Sequence, residues 1–101
     1  LEQVMSAELS KLWNLNRVGD IRQVGLVAGV ELVRDWRTKE PYDLGERVGM
    51  RVCEEMARRG VLTRPIGNVI VIMPPYCTLP EQVNRIVDEL YNSVTQVLGT
   101  R

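Results

Sequence analysis

"LTRPIGNVIVIMPP", residues 62–75, decides the architecture of the chain. Two extended runs, "VLTRP" (61–65) and "NVIVIM" (68–73), flank Ile66 and Gly67, and Pro65 fixes the backbone where the first run ends. The spacing predicts a short hairpin, its second strand stopped by "PPY". Arg64 stands at the lip of these apolar runs, where a half-buried guanidinium is expected. Such a group is always charged and grips a carboxylate or phosphate by two parallel hydrogen bonds, so it calls for a partner. The residue before a proline is held extended, so the frame that aims Arg64 is rigid.

Upstream of the hairpin, Asp43 and Glu46 form an Asp-x-x-Glu helix start, and Val48, Val52, Cys53 and Met56 line one face. Arg58 and Arg59 suit the negative end of that helix, and Gly60 suits a left-handed cap. "DIRQVGLVAGVELV" (20–33) is extended by its content of Val, Ile and Leu, with a bend near Gly25, as one bent strand or as a tight pair. "RDWRTKEPYD" (34–43) reads as a polar loop with solvated charges. Residues 1–14 approach a helical repeat through Leu1, Val4, Leu9, Leu12 and Trp13. No capping residue precedes Leu1, so this helix starts mid-stride, as in a piece of a longer chain.

Downstream, Thr78 and Glu81 predict a capping box with Pro80 in the first turn. Val83, Ile86, Val87, Leu90, Val94 and Val97 then trace the apolar stripe of a long C-terminal helix. The order strand, helix, strand, strand, helix has the logic of a split βαβ unit. Its first and second extended segments run parallel but apart, and the third inserts antiparallel between them. The expected fold is therefore a single α+β domain, helices layered on a small, mostly antiparallel sheet.

Composition narrows the function. The chain has 101 residues, 45% hydrophobic, enough for one modest core, and its 13 basic and 13 acidic residues cancel. No field draws in nucleic acid or an anionic membrane. The apolar runs fall far short of the roughly 20 residues of a transmembrane helix, and no signal-peptide pattern is present, so a soluble, cytoplasmic protein is expected. Cys53 and Cys77 are too few for a disulfide framework, and without a single His they make no usual zinc site; they read as small hydrophobes. The missing His also removes Ser/His and Cys/His catalysis, and no phosphate-binding glycine loop occurs. Catalysis by this chain alone is not expected.

Arg64 retains two readings from the residues themselves: an internal ion pair or plain solvent exposure, as for most arginines, or a grip on a ligand carboxylate. A resemblance favours the second. The segments "VGDIRQVGLVAGVELVRDWRTKEPY" and "GVLTRPIGNVIVIMPPYCT" resemble the C-terminal part of the class III pyridoxal-phosphate aminotransferases. The Gly-Leu-x-x-Gly-x-Glu-Leu pattern at 25–32 is shared widely there, whereas "RDxxTKEPY" and "RPxGNVxxxMPPY" are similar to the branch that serves biotin synthesis. That resemblance implies a small C-terminal domain of a fold-type I enzyme, a homodimer in the cytoplasm. It implies transfer of an amino group from S-adenosylmethionine to 8-amino-7-oxononanoate, with Arg64 binding the acceptor's carboxylate. The pyridoxal phosphate, its Schiff-base lysine, its phosphate cup and the acidic partner of its pyridine nitrogen would all belong to a large preceding domain, and a second subunit would complete the homodimer. Lys11, on an exposed helix face, and Lys39, in the polar loop, lack the desolvated setting of a Schiff-base lysine. Val71 stands where many members carry a tyrosine. The alternatives are another class III ω-aminotransferase, or a free-standing α+β module that binds a peptide or protein through its open sheet face.

Overall fold

The computed structural model describes residues 2–74 and 78–99. The expectations placed on Leu1, Pro75, Tyr76 and Cys77 lie outside these residues. Among the described residues, α1 (Glu2–Leu9) runs into a 3₁₀ turn (Ser10–Asn14) and is followed by strands β1 (Val18–Val24) and β2 (Val27–Asp35). A two-residue β3 (Glu40–Pro41), helix α2 (Val48–Arg58), strands β4 (Arg64–Ile66) and β5 (Val69–Ile72) and helix α3 (Pro80–Leu98) complete the chain.

The main sheet has the order β1-β2-β5-β4 with every neighbour antiparallel, and β3 pairs with the end of β2. Strands β2 and β4 therefore run parallel with β5 inserted antiparallel between them, which is the expected split βαβ arrangement. The extended segment before α2 resolves into a tight pair. Gly25 sits at φ 60 between Val24 and Val27, which face each other in the register, so the chain reverses there in two residues. Gly67, at φ 58, does the same between Ile66 and Val69, and Asn68 follows without a left-handed φ. A glycine with positive φ at the first central position is the signature of a type II′ hairpin, whose twist matches that of the strands. This moves the second turn one residue beyond the expected Ile66–Gly67, and 61–63 lie outside the ladder.

Alternation along the strands separates two faces. Ala28, Val30, Leu32, Ile70 and Ile72 are buried in one cluster with Val48, Val52, Cys53 and Met56 of α2 and Val83, Val87, Leu90 and Val94 of α3. These are the stripes the two helical periodicities predict. The N-terminal segment departs from its stripe. Met5, Leu9, Leu12 and Leu15 are buried, while Trp13 is 54% exposed. The 3₁₀ turn is the cause: at three residues per turn, Leu9, Leu12 and Leu15 align and Trp13 rotates outward.

Three helix boundaries carry further detail. The Asp43–Glu46 start closes only a 3₁₀ turn (Leu44–Glu46), with Glu46 Oε2 accepting from the Asp43 N–H at 3.0 Å. Arg47 then takes the left-handed conformation, φ 52 and ψ 41, and α2 begins afresh at Val48. At its far end Gly60, φ 88, donates to the Ala57 carbonyl and Val61 to that of Met56, the bond pair of a Schellman cap. The cap of α3 sits one residue later than expected. Leu79, φ −80 and ψ 154, is the N-cap, and its N–H donates to Gln82 Oε1 at 2.8 Å. A Thr78 cap would require helical backbone at Leu79, which the ring of Pro80 disfavours in the residue before it.

Candidate functional site

Arg64 opens the edge strand β4 and stands opposite Val71 in the register, on the sheet face away from the helices. The expected half-buried setting gives way to an exposed one. The apolar residues beside it do not enclose it: Leu62 is 87% exposed and Ile66 68%. Leu62, Thr63, Arg64, Val71 and Met73 instead line an open depression of about 400 Å³. The internal ion pair is also absent, since Arg64 meets no carboxylate among the described residues. A fixed positive charge thus stands over a small apolar floor, unclaimed by the described part of the chain.

Several other arginines are paired within the chain. Arg22 pairs with Asp20 at 2.8 Å on the same open face and holds that carboxyl below its ordinary range by the hydrogen bond and the charge. Arg58 and Arg59 both grip Glu55, at 2.7 and 3.0 Å. Arg34 pairs with Glu46 and lies 5.0 Å over the Tyr42 ring.

Sequence reasoning missed a junction. The Asn68 side-chain amide donates to the Tyr42 carbonyl at 2.9 Å, and the Asn68 carbonyl accepts from the Leu32 N–H at 2.8 Å. The "KEPY" loop and the "RPIGN" turn, 26 residues apart, are therefore tied together at the turn end of the hairpin that carries Arg64. The one hint was an Asn directly after the turn glycine, a residue whose side chain favours backbone partners.

Neither lysine lines the depression at Arg64, although Lys39 borders a neighbouring cleft on the same open face with Asp20, Arg22, Gly29, Glu31 and Val69. Lys11 bonds to Glu8 at 2.8 Å and lies 3.8 Å from Asp88, and the Glu8 hydrogen bond foremost raises its pKa. Lys39 occupies the left-handed position, φ 57, of the exposed β2–β3 turn. Cys53 is buried, its thiol pushed up by burial and only partly compensated by the hydroxyl of Thr63, 3.3 Å away. Such a thiol is poorly nucleophilic. Trp13 and Trp36, both about half exposed, flank a second cleft of about 380 Å³ with Asn16, Val18, Gly19 and Lys39. No helix among the described residues is long and apolar enough to cross a membrane.

The family model described as aminotransferase class-III matches residues 1–94. An adenosylmethionine-8-amino-7-oxononanoate aminotransferase of Geobacter sulfurreducens is 50% identical over 97 residues, 96% of this chain and 21% of that protein. A putrescine–pyruvate aminotransferase of Pseudomonas aeruginosa is 38% identical over 71 residues, 69% of this chain and 15% of that protein. The crystal structure of adenosylmethionine-8-amino-7-oxononanoate aminotransferase from Methanocaldococcus jannaschii superposes with a TM-score of 0.92 at 40% identity, covering 95% of this chain and 22% of that one. The chain thus spans about a fifth of the length of these relatives.

Proposed function

The chain belongs to the class III aminotransferases, and from that premise we propose that it is the C-terminal small domain of an enzyme that aminates 8-amino-7-oxononanoate with S-adenosylmethionine as donor. In this reading Arg64 binds the acceptor's carboxylate. The observation that carries it is the exposed Arg64 guanidinium, which has no carboxylate partner among the described residues, on the face away from the helices, beside the apolar Leu62, Val71 and Met73. An acceptor with an apolar chain ending in a carboxylate matches that surface.

Class III aminotransferases use pyridoxal phosphate, which carries the amino group between donor and acceptor when bound. The lysines of this chain do not suit its Schiff base. Lys11 is an ion-paired ammonium with a raised pKa, the reverse of a desolvated nucleophilic amine, and Lys39 is an exposed turn residue. In this reading the cofactor site lies in the part of the protein that corresponds to the remaining length of the relatives. What this domain supplies is orientation. Two parallel hydrogen bonds from the guanidinium set both the distance and the plane of the acceptor's carboxylate.

The test is Arg64→Ala in the full-length enzyme. Removing the charged partner of a desolvated carboxylate costs about 2 kcal/mol or more, so kcat/KM for the acceptor should fall roughly 30-fold or further. Arg64→Lys should recover only part of it, since an ammonium lacks the fork. The half-reaction with S-adenosylmethionine shows whether the same arginine also serves the donor's carboxylate. Unchanged rates in both half-reactions would end the proposal. The 38% identity to the putrescine–pyruvate enzyme supports a second reading, a class III enzyme with a different ω-amine substrate; a kcat/KM higher for putrescine than for S-adenosylmethionine would favour it.

A further inference from the structure

The β4–β5 hairpin that carries Arg64 is braced near its turn by contacts with two segments distant in sequence. Gly49, in the first turn of α2, lies so near this turn that a Cβ at its position would stand 2.3 Å from the Gly67 carbonyl oxygen and 3.2 Å from Pro65 Cβ. The first of these neighbours is backbone, so no side-chain rotation relieves the clash. Gly67 is itself committed to φ 58 by the two-residue reversal, which leaves the turn little freedom to yield locally. On the other side the Asn68 amide ties the turn to the Tyr42 carbonyl at 2.9 Å. Pro65, whose Cβ a side chain at position 49 would also crowd, is bonded directly to Arg64. A shift of the turn is therefore a shift of the guanidinium's base.

We propose that Gly49 and Asn68 are positioning residues for Arg64: Gly49 by letting α2 approach the turn, Asn68 by anchoring the turn to the loop before α2. The proposal rests on the reading of Arg64 as the carboxylate ligand. A bidentate contact holds only over a narrow range of distance and angle, so a turn displaced by a methyl group spoils it without any loss of charge. Neither residue needs to touch the substrate.

The experiment compares Arg64→Ala, Gly49→Ala, Asn68→Ala and the double variant Arg64→Ala/Gly49→Ala in the full-length enzyme. Each is assayed with the carboxylate-bearing acceptor and with its analogue ending in a primary amide. Gly49→Ala should lower kcat/KM for the carboxylate acceptor by between about 10- and 100-fold, the scale of a misplacement near 1 Å. Asn68→Ala should lower it about fivefold, the scale of one hydrogen bond. Neither should change use of the amide analogue beyond about twofold, within the scatter of a surface substitution. In the Arg64→Ala background, Gly49→Ala should cost nothing further, because the group it positions is gone.

Equal losses on both acceptors, or a double variant that loses the product of the single effects, would overturn the inference. Should Arg64→Ala fail while Gly49→Ala and Asn68→Ala act as wild type, the positioning inference falls and the carboxylate reading stands. An Arg64→Ala enzyme indifferent to the carboxylate brings down both. If Gly49→Ala does not fold, Asn68→Ala decides by the same comparison of acceptors.

Discussion

Arg64 and Val71 face each other across the β4–β5 ladder on the side of the sheet that no helix covers. A charged and an apolar residue share one rung, and neither is part of the core. Arg64 is consequently a residue that stability does not require. Arg64→Ala and Arg64→Gln should change the free energy of unfolding by no more than about 0.5 kcal/mol, the usual scatter for an exposed surface site. Urea titration of residues 1–101 checks this. A loss of 2 kcal/mol or more would make the guanidinium a structural strut.

Gly67 presents the opposite case to Gly49. A Cβ there would meet Leu44 Cδ2 at 3.6 Å, an ordinary contact, so space is not the constraint. Its φ of 58 is. Gly67→Ala should cost about 1–2 kcal/mol, the penalty of left-handed backbone for a residue with a Cβ. Gly67→Asn should cost less, because Asn tolerates that region. The two urea midpoints, read side by side, decide it; equal values would mean that backbone conformation is not what Gly67 supplies.

Glu55 joins two arginines of its own helix, and Arg59 reaches on to Glu89 of α3 at 3.5 Å. Hydrogen bonds from Arg58 first, then Arg59, hold the Glu55 carboxyl below its ordinary value of 4.5. A carboxyl whose folded pKa is depressed stabilises the fold above the unfolded pKa, and that contribution disappears as the pH falls through the folded one. Glu55→Gln should therefore be less stable than wild type near neutral pH. The gap should close below 4.5 as the wild-type carboxyl takes up its proton. A gap independent of pH would show that the ion pairs do not contribute.

The face away from the helices also predicts how residues 1–101 behave alone. Val24 is 82% exposed, Ile66 68% and Met73 65%, and Val27, Val69 and Val71 lie between them. Apolar surface of this kind marks a contact site. The domain alone should self-associate weakly, and Ile66→Lys, at an exposed position, should suppress this without moving the unfolding midpoint. Sedimentation velocity across a range of concentrations reads the outcome. A domain that stays monomeric throughout would mean that this face seeks no cover.

The fold was legible where a local rule and a periodicity agreed. The stripe of Val48, Val52, Cys53 and Met56 and that of Val83, Val87, Leu90 and Val94 mark their helices unambiguously, and the parallel pairing around β5 followed from their order. Errors of one residue arose where two local rules competed. At Thr78 the capping pattern lost to the backbone restriction that Pro80 places on Leu79, and at Ile66 the turn passed to Gly67 and Asn68. Arg64 was located but its exposure was misjudged. Leu62 and Ile66 suggested an apolar surround, whereas an edge strand gives its outward residues nothing to pack on. The Asn68–Tyr42 tie was invisible because its partners are joined only by the tertiary fold.

Pro65, midway along the edge strand β4, restricts the direction from which anything can approach the sheet. Next to a two-residue turn the first facing pair, Ile66 and Val69, exchanges both ladder bonds, so the following pair, Pro65 and Ile70, directs its backbone groups outward. At Pro65 the outward amide hydrogen does not exist. The free border of the sheet thus presents a carbonyl but no donor over its three residues, and a foreign strand finds no ladder to continue. Lateral growth of the sheet beside Arg64 is blocked, and a body that comes to rest there must arrive broadside, across the plane of the strands.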